Sequence, residues 1–173
     1  MNKFAMTAAI AALMLSLSAG ALAASGLGSV TTMSGAGAEA DKAGSVTLNT
    51  TMCALELDDA GKITAVSFDI AQNKVGFDAT GALTGELTGE HPTKKELGDG
   101  YGMKAASGIG KEWFEQAEAL EDWCVGKTVE EVVTMPTYDK GDGHHTQVPD
   151  DVDLKSGCTI DAGSFLQALQ KAA

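Results

Sequence analysis

From Ser45 the chain alternates. Val46, Leu48, Thr50 and Met52 share one parity, and Cys53, Leu55 and Leu57 continue on the other. A period of two with one slip predicts a long strand carrying a bulge. Asp58-Asp59-Ala60-Gly61-Lys62 supplies a turn, after which Ile63 to Ile70 resumes alternation with Val66, Phe68 and Ile70 on one face. The segment reads as a β-hairpin. Lys74 to Phe77, the turn Asp78-Ala79-Thr80-Gly81, and Ala82 to Thr84 repeat the plan on a smaller scale. Together the two hairpins suit one antiparallel sheet.

Beyond the strands the period changes. Residues 86–110 are polar and punctuated by glycine, with a helical turn or two expected over Thr93–Leu97 and Tyr101–Ala106. Lys111 to Val125 is the clearest helix: Trp113, Phe114, Ala117, Leu120, Trp123 and Cys124 make one apolar stripe. Glu112, Glu115, Glu118, Glu121 and Asp122 are expected to form its solvated face. Gly126 stops the helix and Lys127 suits its C-terminal carbonyls. Thr128-x-x-Glu131 has the spacing of a capping box opening a brief helix through Val133. Tyr138 to Asp151 is a loop dense in Gly, Asp and His, and Phe165, Leu166 and Leu169 mark a C-terminal helix. Strands followed by helices give an α+β class: a small antiparallel sheet of hairpins packed on a central amphipathic helix and a C-terminal helix.

The first 44 residues read differently. Met1-Asn2-Lys3, an apolar run from Phe4 to Leu15 and a small-residue cleavage site at Ala21-Leu22-Ala23 have the form of a secretory signal peptide. Residues 1–23 are therefore expected to be removed, leaving a secreted or extracytoplasmic protein that does not span the membrane. Residues 24–44, rich in Gly, Ala and Ser, read as a flexible leader. A single domain over 45–173 follows from the length of 173 residues.

Charge narrows the partners. Twelve Lys, no Arg and 24 acids give a formal net charge of −12, so nucleic acid is not expected as a partner. Without Arg the chain has no guanidinium fork for a free phosphate. A phosphorylated ligand needs Lys, backbone N–H groups or a covalent link. Cys53, Cys124 and Cys158 match no zinc or iron–sulfur spacing; they read as small buried hydrophobes, with one disulfide and one free thiol allowed. His144-His145, with His91, Asp139, Asp142 and Asp150, reads as a solvated loop rather than a metal site. Trp113 and Trp123 belong to the apolar stripe, whereas Tyr101 and Tyr138, in Gly-rich loops, are candidates for touching an aromatic ligand. No nucleophile elbow, catalytic triad order or Walker loop is present.

The candidate chemistry lies near the C-terminus, in Asp153-x-x-Ser156-Gly157-Cys158-Thr159. A hydroxyl-bearing, Gly-containing turn opening a helix is an anion site, because free N–H groups and the helix dipole converge there. This stretch resembles the Asp-x-x-Ser-Gly-Ala-Thr element of FMN-binding domains, found in the flavin-carrying subunits of Rnf and sodium-pumping NADH–quinone oxidoreductases. Other segments resemble that family in order: Asp59-Ala60-Gly61-Lys62-Ile63-Thr64 within a first hairpin, the Gly108-Ile109-Gly110 turn, and Trp113-Phe114-Glu115-Gln116 running to Val125-Gly126-Lys127-Thr128. The resemblance covers Ser45 to Ala173, with the second hairpin as an insertion. Cys158 stands where the family has Ala, and Asp161 where it commonly has a second Thr.

The resemblance implies FMN held covalently through Thr159, with Ser156, Gly157, Cys158 and Asp153 around the phosphate and Asp153 as a recognition position for a flavin transferase. The isoalloxazine is then expected across the sheet near the Gly108–Gly110 turn. Lys104, Lys111 and Lys127 are available to neutralise the phosphate, though plain solvation suits them as well. Implied with it are an electron carrier rather than a turnover enzyme and a membrane or extracytoplasmic redox partner. Cys158 and Asp161 support an alternative: a flavin-free, degenerate FMN-binding-like domain acting as a secreted binding or structural module. Asp161 is expected to be tolerable beside a phosphoester only as an N-cap.

Overall fold

The computed structural model describes residues 24–85 and 87–173; the signal-peptide reading of residues 1–23 lies outside them. Three antiparallel strands in sequence order, β1 (Ala24–Ala36), β2 (Gly44–Leu57) and β3 (Ile63–Phe77), form the main sheet. After β3 come α1 (Lys94–Leu97), a 3-10 turn (Gly98–Tyr101), α2 (Trp113–Cys124) and α3 (Val129–Val133). A two-residue ladder of β4 (Thr137–Tyr138) and β5 (Val148–Pro149) follows, and α4 (Gly163–Ala172) ends the chain. The architecture is α+β. Helix α4 packs on β1 and β2, and α2 on β3.

The expectation of a flexible leader is corrected. Residues 24–36 are a full strand, paired with β2 from Ala24 opposite Leu57 to Ala36 opposite Ser45. Its glycines answer to close packing. A Cβ on Gly26 or Gly28 would overlap the carbonyl oxygens of Ala172 or Ala168, so α4 lies on β1 backbone to backbone, with Ala on one side and Gly on the other. A segment without large side chains reads as a linker, yet here smallness is what brings the helix down onto the sheet.

The bulge is also elsewhere than the alternation placed it. Pairing runs unbroken through Met52 opposite Asp69 and Cys53 opposite Phe68, and the register shifts at Glu56/Leu57, beside the turn. Both parities are apolar because two faces are used. Thr51, Cys53 and Leu55 turn inward and are buried, while Met52, with Leu27 and Met33 of β1, lies on the outer face. The Asp58 turn forms as read: Asp58 Oδ1 accepts the N–H groups of Ala60 and Lys62. Asp78 Oδ1 repeats this with Thr80 and Ala82, though the second hairpin has only the isolated bridge Phe77–Leu83.

Phe165 of α4 centres the core, its ring 5.1 Å from Phe68 and 5.9 Å from Trp113. The α2 stripe is buried at Trp113, Ala117, Leu120 and Cys124. Its acidic face is not wholly solvated. Glu112 is the N-cap residue and is 3% exposed, and Glu121 accepts the Phe68 N–H at 2.5 Å and pairs with Lys95 at 2.6 Å. That contact blocks the free edge of β3, a frequent use of charge at sheet edges. Thr128 and Glu131 form the capping box. Gly126, at φ +83, ends α2, and Lys127 donates to the Trp123 carbonyl at 2.5 Å.

Candidate functional site

The tetrad is shaped by the turn that precedes it. Lys155 N–H bonds the Asp151 carbonyl, and the N–H groups of Gly157 and Cys158 both reach that of Leu154. Buried Leu154 anchors the turn from below. Asp151 fixes its start, accepting Trp123 Nε1–H at 3.1 Å and Asp153 N–H at 2.9 Å. Asp153 and Ser156 are exposed. Gly157 is required by proximity: a Cβ there would come within 2.9 Å of Ala119 Cβ on α2. Cys158 is buried, and desolvation pushes its thiol up to about 11 against the pull of the Ile160 N–H, Lys111 and Lys140. Cys53 and Cys124 are pushed up to about 12, in each case mainly by burial. All three thiols are free, so no disulfide forms among them.

Thr159 is held by a residue that the sequence reading quoted without giving it a role. Gln116, 1% exposed on the buried side of α2, accepts both the Thr159 N–H at 2.8 Å and the Thr159 Oγ1–H at 3.1 Å on its Oε1. Its Nε2 donates to Ser107 Oγ at 3.1 Å and the Lys111 carbonyl at 3.2 Å. Every hydrogen-bonding position of the amide is used. The hydroxyl proton of half-buried Thr159 therefore points at Gln116. The only sequence signal for Gln116 was a polar residue between Trp113 and Ala117, on a helix that otherwise buries apolar groups.

One expectation fails. The tetrad does not open a helix: α4 begins at Gly163, behind Ala162 as its N-cap residue, so the helix dipole is not at Thr159. Lysines stand there instead. Lys140 donates to the Thr159 carbonyl at 2.7 Å, and the Lys111 ammonium lies 4.0 Å from where a Cβ on Gly157 would be. Lys127 is held elsewhere, 4.0 Å above the Trp123 ring. Lys104 lends its backbone N–H to Glu112 at 2.8 Å. That N–H, aided by those of Met103 and Trp113, holds the Glu112 carboxyl below the usual range in spite of burial.

Asp161 is not the N-cap residue, although it serves the start of the helix. Its Oδ1 accepts the Gly163 N–H at 2.9 Å, and its Oδ2 accepts those of Thr146 and Gln147 at 2.8 and 2.9 Å. Three N–H groups thus stabilise the carboxylate and tie the His-bearing loop to α4.

Consecutive residues from Thr159 to Asp161 line two separate recesses. Thr159 lines a small one of about 250 Å³ with Tyr138, Pro149, Asp150 and Lys155. Ile160 and Asp161 line a cleft of about 640 Å³, within the usual range for small-molecule sites. One wall of this cleft is the inner sheet face at Asn49, Thr51, Ile70 and Gln72; the other holds Tyr101, Met103 and Trp113, with Lys94, His144, His145 and Ser164 around them. Tyr101, a sequence candidate for touching an aromatic ligand, lines this cleft, and Trp113 both packs the core and faces it. The Gly108–Gly110 turn does not line it.

Across 96 aligned residues, 49% of this chain, the sequence is 40% identical to a protein named chlorophenol reductase from Desulfitobacterium hafniense. The alignment takes in 29% of that protein, so this chain spans under a third of the curated relative it matches. No family model matches, and no solved structure matches.

Proposed function

We propose that this protein is an extracytoplasmic redox carrier with FMN joined to Thr159 by a phosphoester and its ring in the cleft that begins at Ile160. The observation that carries the reading is the setting of Thr159: a half-buried hydroxyl oriented by Gln116, with Lys140 on its own carbonyl, Lys111 near Gly157, and Asp150 of the same recess paired with Lys155. Lys140 and Lys111 supply the charge that a chain without Arg must find elsewhere. The partial likeness to a protein named as a reductase supports a redox role.

The residues divide the work. Gln116 holds the Thr159 hydroxyl proton. Lys111 and Lys140 balance phosphate charge. Trp113 and Tyr101 give the cleft an aromatic wall that excludes water, and Asp161 fixes the loop across its mouth. Bound FMN would supply the one- and two-electron chemistry, which is the cofactor's own. The surface, at a net −12, favours basic docking partners at low salt.

The flavin-free module is the second reading, supported by one observation: the Thr159 hydroxyl already has a partner in Gln116. Co-expression with a flavin transferase separates the two. Blue-region absorbance that stays with the protein through denaturation supports the carrier. A colourless protein beside a flavinylated control favours the module.

A further inference from the structure

We propose that Lys94 reads the ring that enters the cleft, so that the site selects a planar heteroaromatic ring with a carbonyl-rich or anionic edge. This rests on the reading that a flavin-type ring occupies the cleft, and it concerns a residue apart from the attachment site.

The ammonium of Lys94 stands 4.7 Å from the Tyr101 ring centroid and 5.2 Å from that of Trp113. Rings hold a cation on their faces by their quadrupoles, and this attraction strengthens as water leaves. Among the described residues Lys94 makes no ion pair, whereas its neighbour Lys95 is committed to Glu121 and to Ser67 Oγ at 3.2 Å. The one carboxylate lining the cleft is Asp161, already bound by three N–H groups. A protein with twice as many acids as lysines therefore places a cation without an ion pair in this cleft.

The position is pinned. Thr93 and Glu96 close a capping box around the short α1 turn, and the Lys95 N–H bonds Asp69 Oδ1 on β3 at 3.2 Å. Lys94 is thus presented by a turn tied to the sheet at both backbone and side chain. Across the cleft, Gln72 donates to Asn49 Oδ1 at 2.8 Å, which leaves the Asn49 amide N–H groups and Gln72 Oε1 side by side as donor and acceptor. Such a pair complements a cyclic imide: one carbonyl accepts, and the ring N–H donates. A flat ring with that edge meets the aromatic wall, the amide pair and the cation together.

The test is a titration of riboflavin, followed by quenching of its own emission, against full-length protein produced without a flavin transferase. Riboflavin has no phosphate and cannot form the ester at Thr159, so the titration reports the cleft alone. Lys94→Met is expected to weaken binding about tenfold, the scale of one lost hydrogen bond to a charged donor. Lys94→Arg, which keeps a cation on the rings, retains most of the affinity. Equal affinity of wild type and Lys94→Met, with matching melting curves, overturns the proposal, as does absence of riboflavin binding to the wild type. An unmodified mass at Thr159 would remove the covalent carrier and leave the riboflavin result standing.

Discussion

Replacing Gln116 by Leu should destabilise the fold through Thr159 more than through lost volume. Gln116 Oε1 accepts two hydrogen bonds from Thr159, and its Nε2 donates two more, to Ser107 Oγ and the Lys111 carbonyl. The two hydroxyls can turn to water. The Thr159 N–H and the Lys111 carbonyl are left without partners, each costing about 1–3 kcal/mol. An apolar side chain of similar size returns about 1–2 kcal/mol through burial, so the net loss is about 1–4 kcal/mol, a sizeable share of a typical domain's stability. With a urea slope of about 2 kcal/mol/M, the unfolding midpoint falls by about 0.5–2 M at unchanged slope. Gln116→Glu keeps an acceptor toward Thr159 and loses the donors, and should fall between. A Gln116→Leu midpoint within about 0.3 M of wild type would refute the reasoning, because the slope converts that to well under one unsatisfied group.

Three further outcomes follow from the same geometry. Gly28→Ala drives a Cβ into the Ala168 carbonyl and should cost about 3 kcal/mol or more; Gly37→Ala, in open space, should stay within about 0.5 kcal/mol in the same denaturation assay. Lys62, with help from the Thr128 N–H, lowers Glu131 from 4.5 to about 2. A carboxylate depressed on folding stabilises above its unfolded pKa, and the benefit is lost as pH falls through the folded one. Wild-type stability should therefore decline from pH 4.5 toward 2, and Glu131→Gln should flatten that part of the profile measured by urea midpoints. Thiol titration of the native protein should label none of the three buried cysteines, and all three after guanidinium unfolding; prompt native labelling would contradict their burial.

Much of the fold was legible because one periodicity governed each element. The α2 stripe, the Asp58 turn and the Thr128 capping box each rest on local chemistry within a few residues. What escaped reading depends on contacts distant in sequence. Gly26 and Gly28 look like linker residues until α4, some 140 residues later by number, is laid upon them. The change of parity between Met52 and Cys53 looked like a bulge because an apolar outer face is indistinguishable from an inner one by alternation alone. The tetrad singled out Thr159, and Lys111 was named as a possible phosphate partner, but Gln116 and Lys140 were not legible as neighbours because they come from other segments of the chain. The cleft itself had no signal in the sequence; Tyr101 was read only as a candidate for an aromatic ligand, and Lys94 was hidden in an ordinary polar run.

The most direct test of the central claim is the intact and peptide mass of protein co-expressed with a flavin transferase active on a control substrate. The account predicts a gain of one FMN less one water, carried on the peptide containing Thr159 and absent in Thr159→Ala. An unmodified wild-type mass, or a gain that persists in Thr159→Ala, would contradict it.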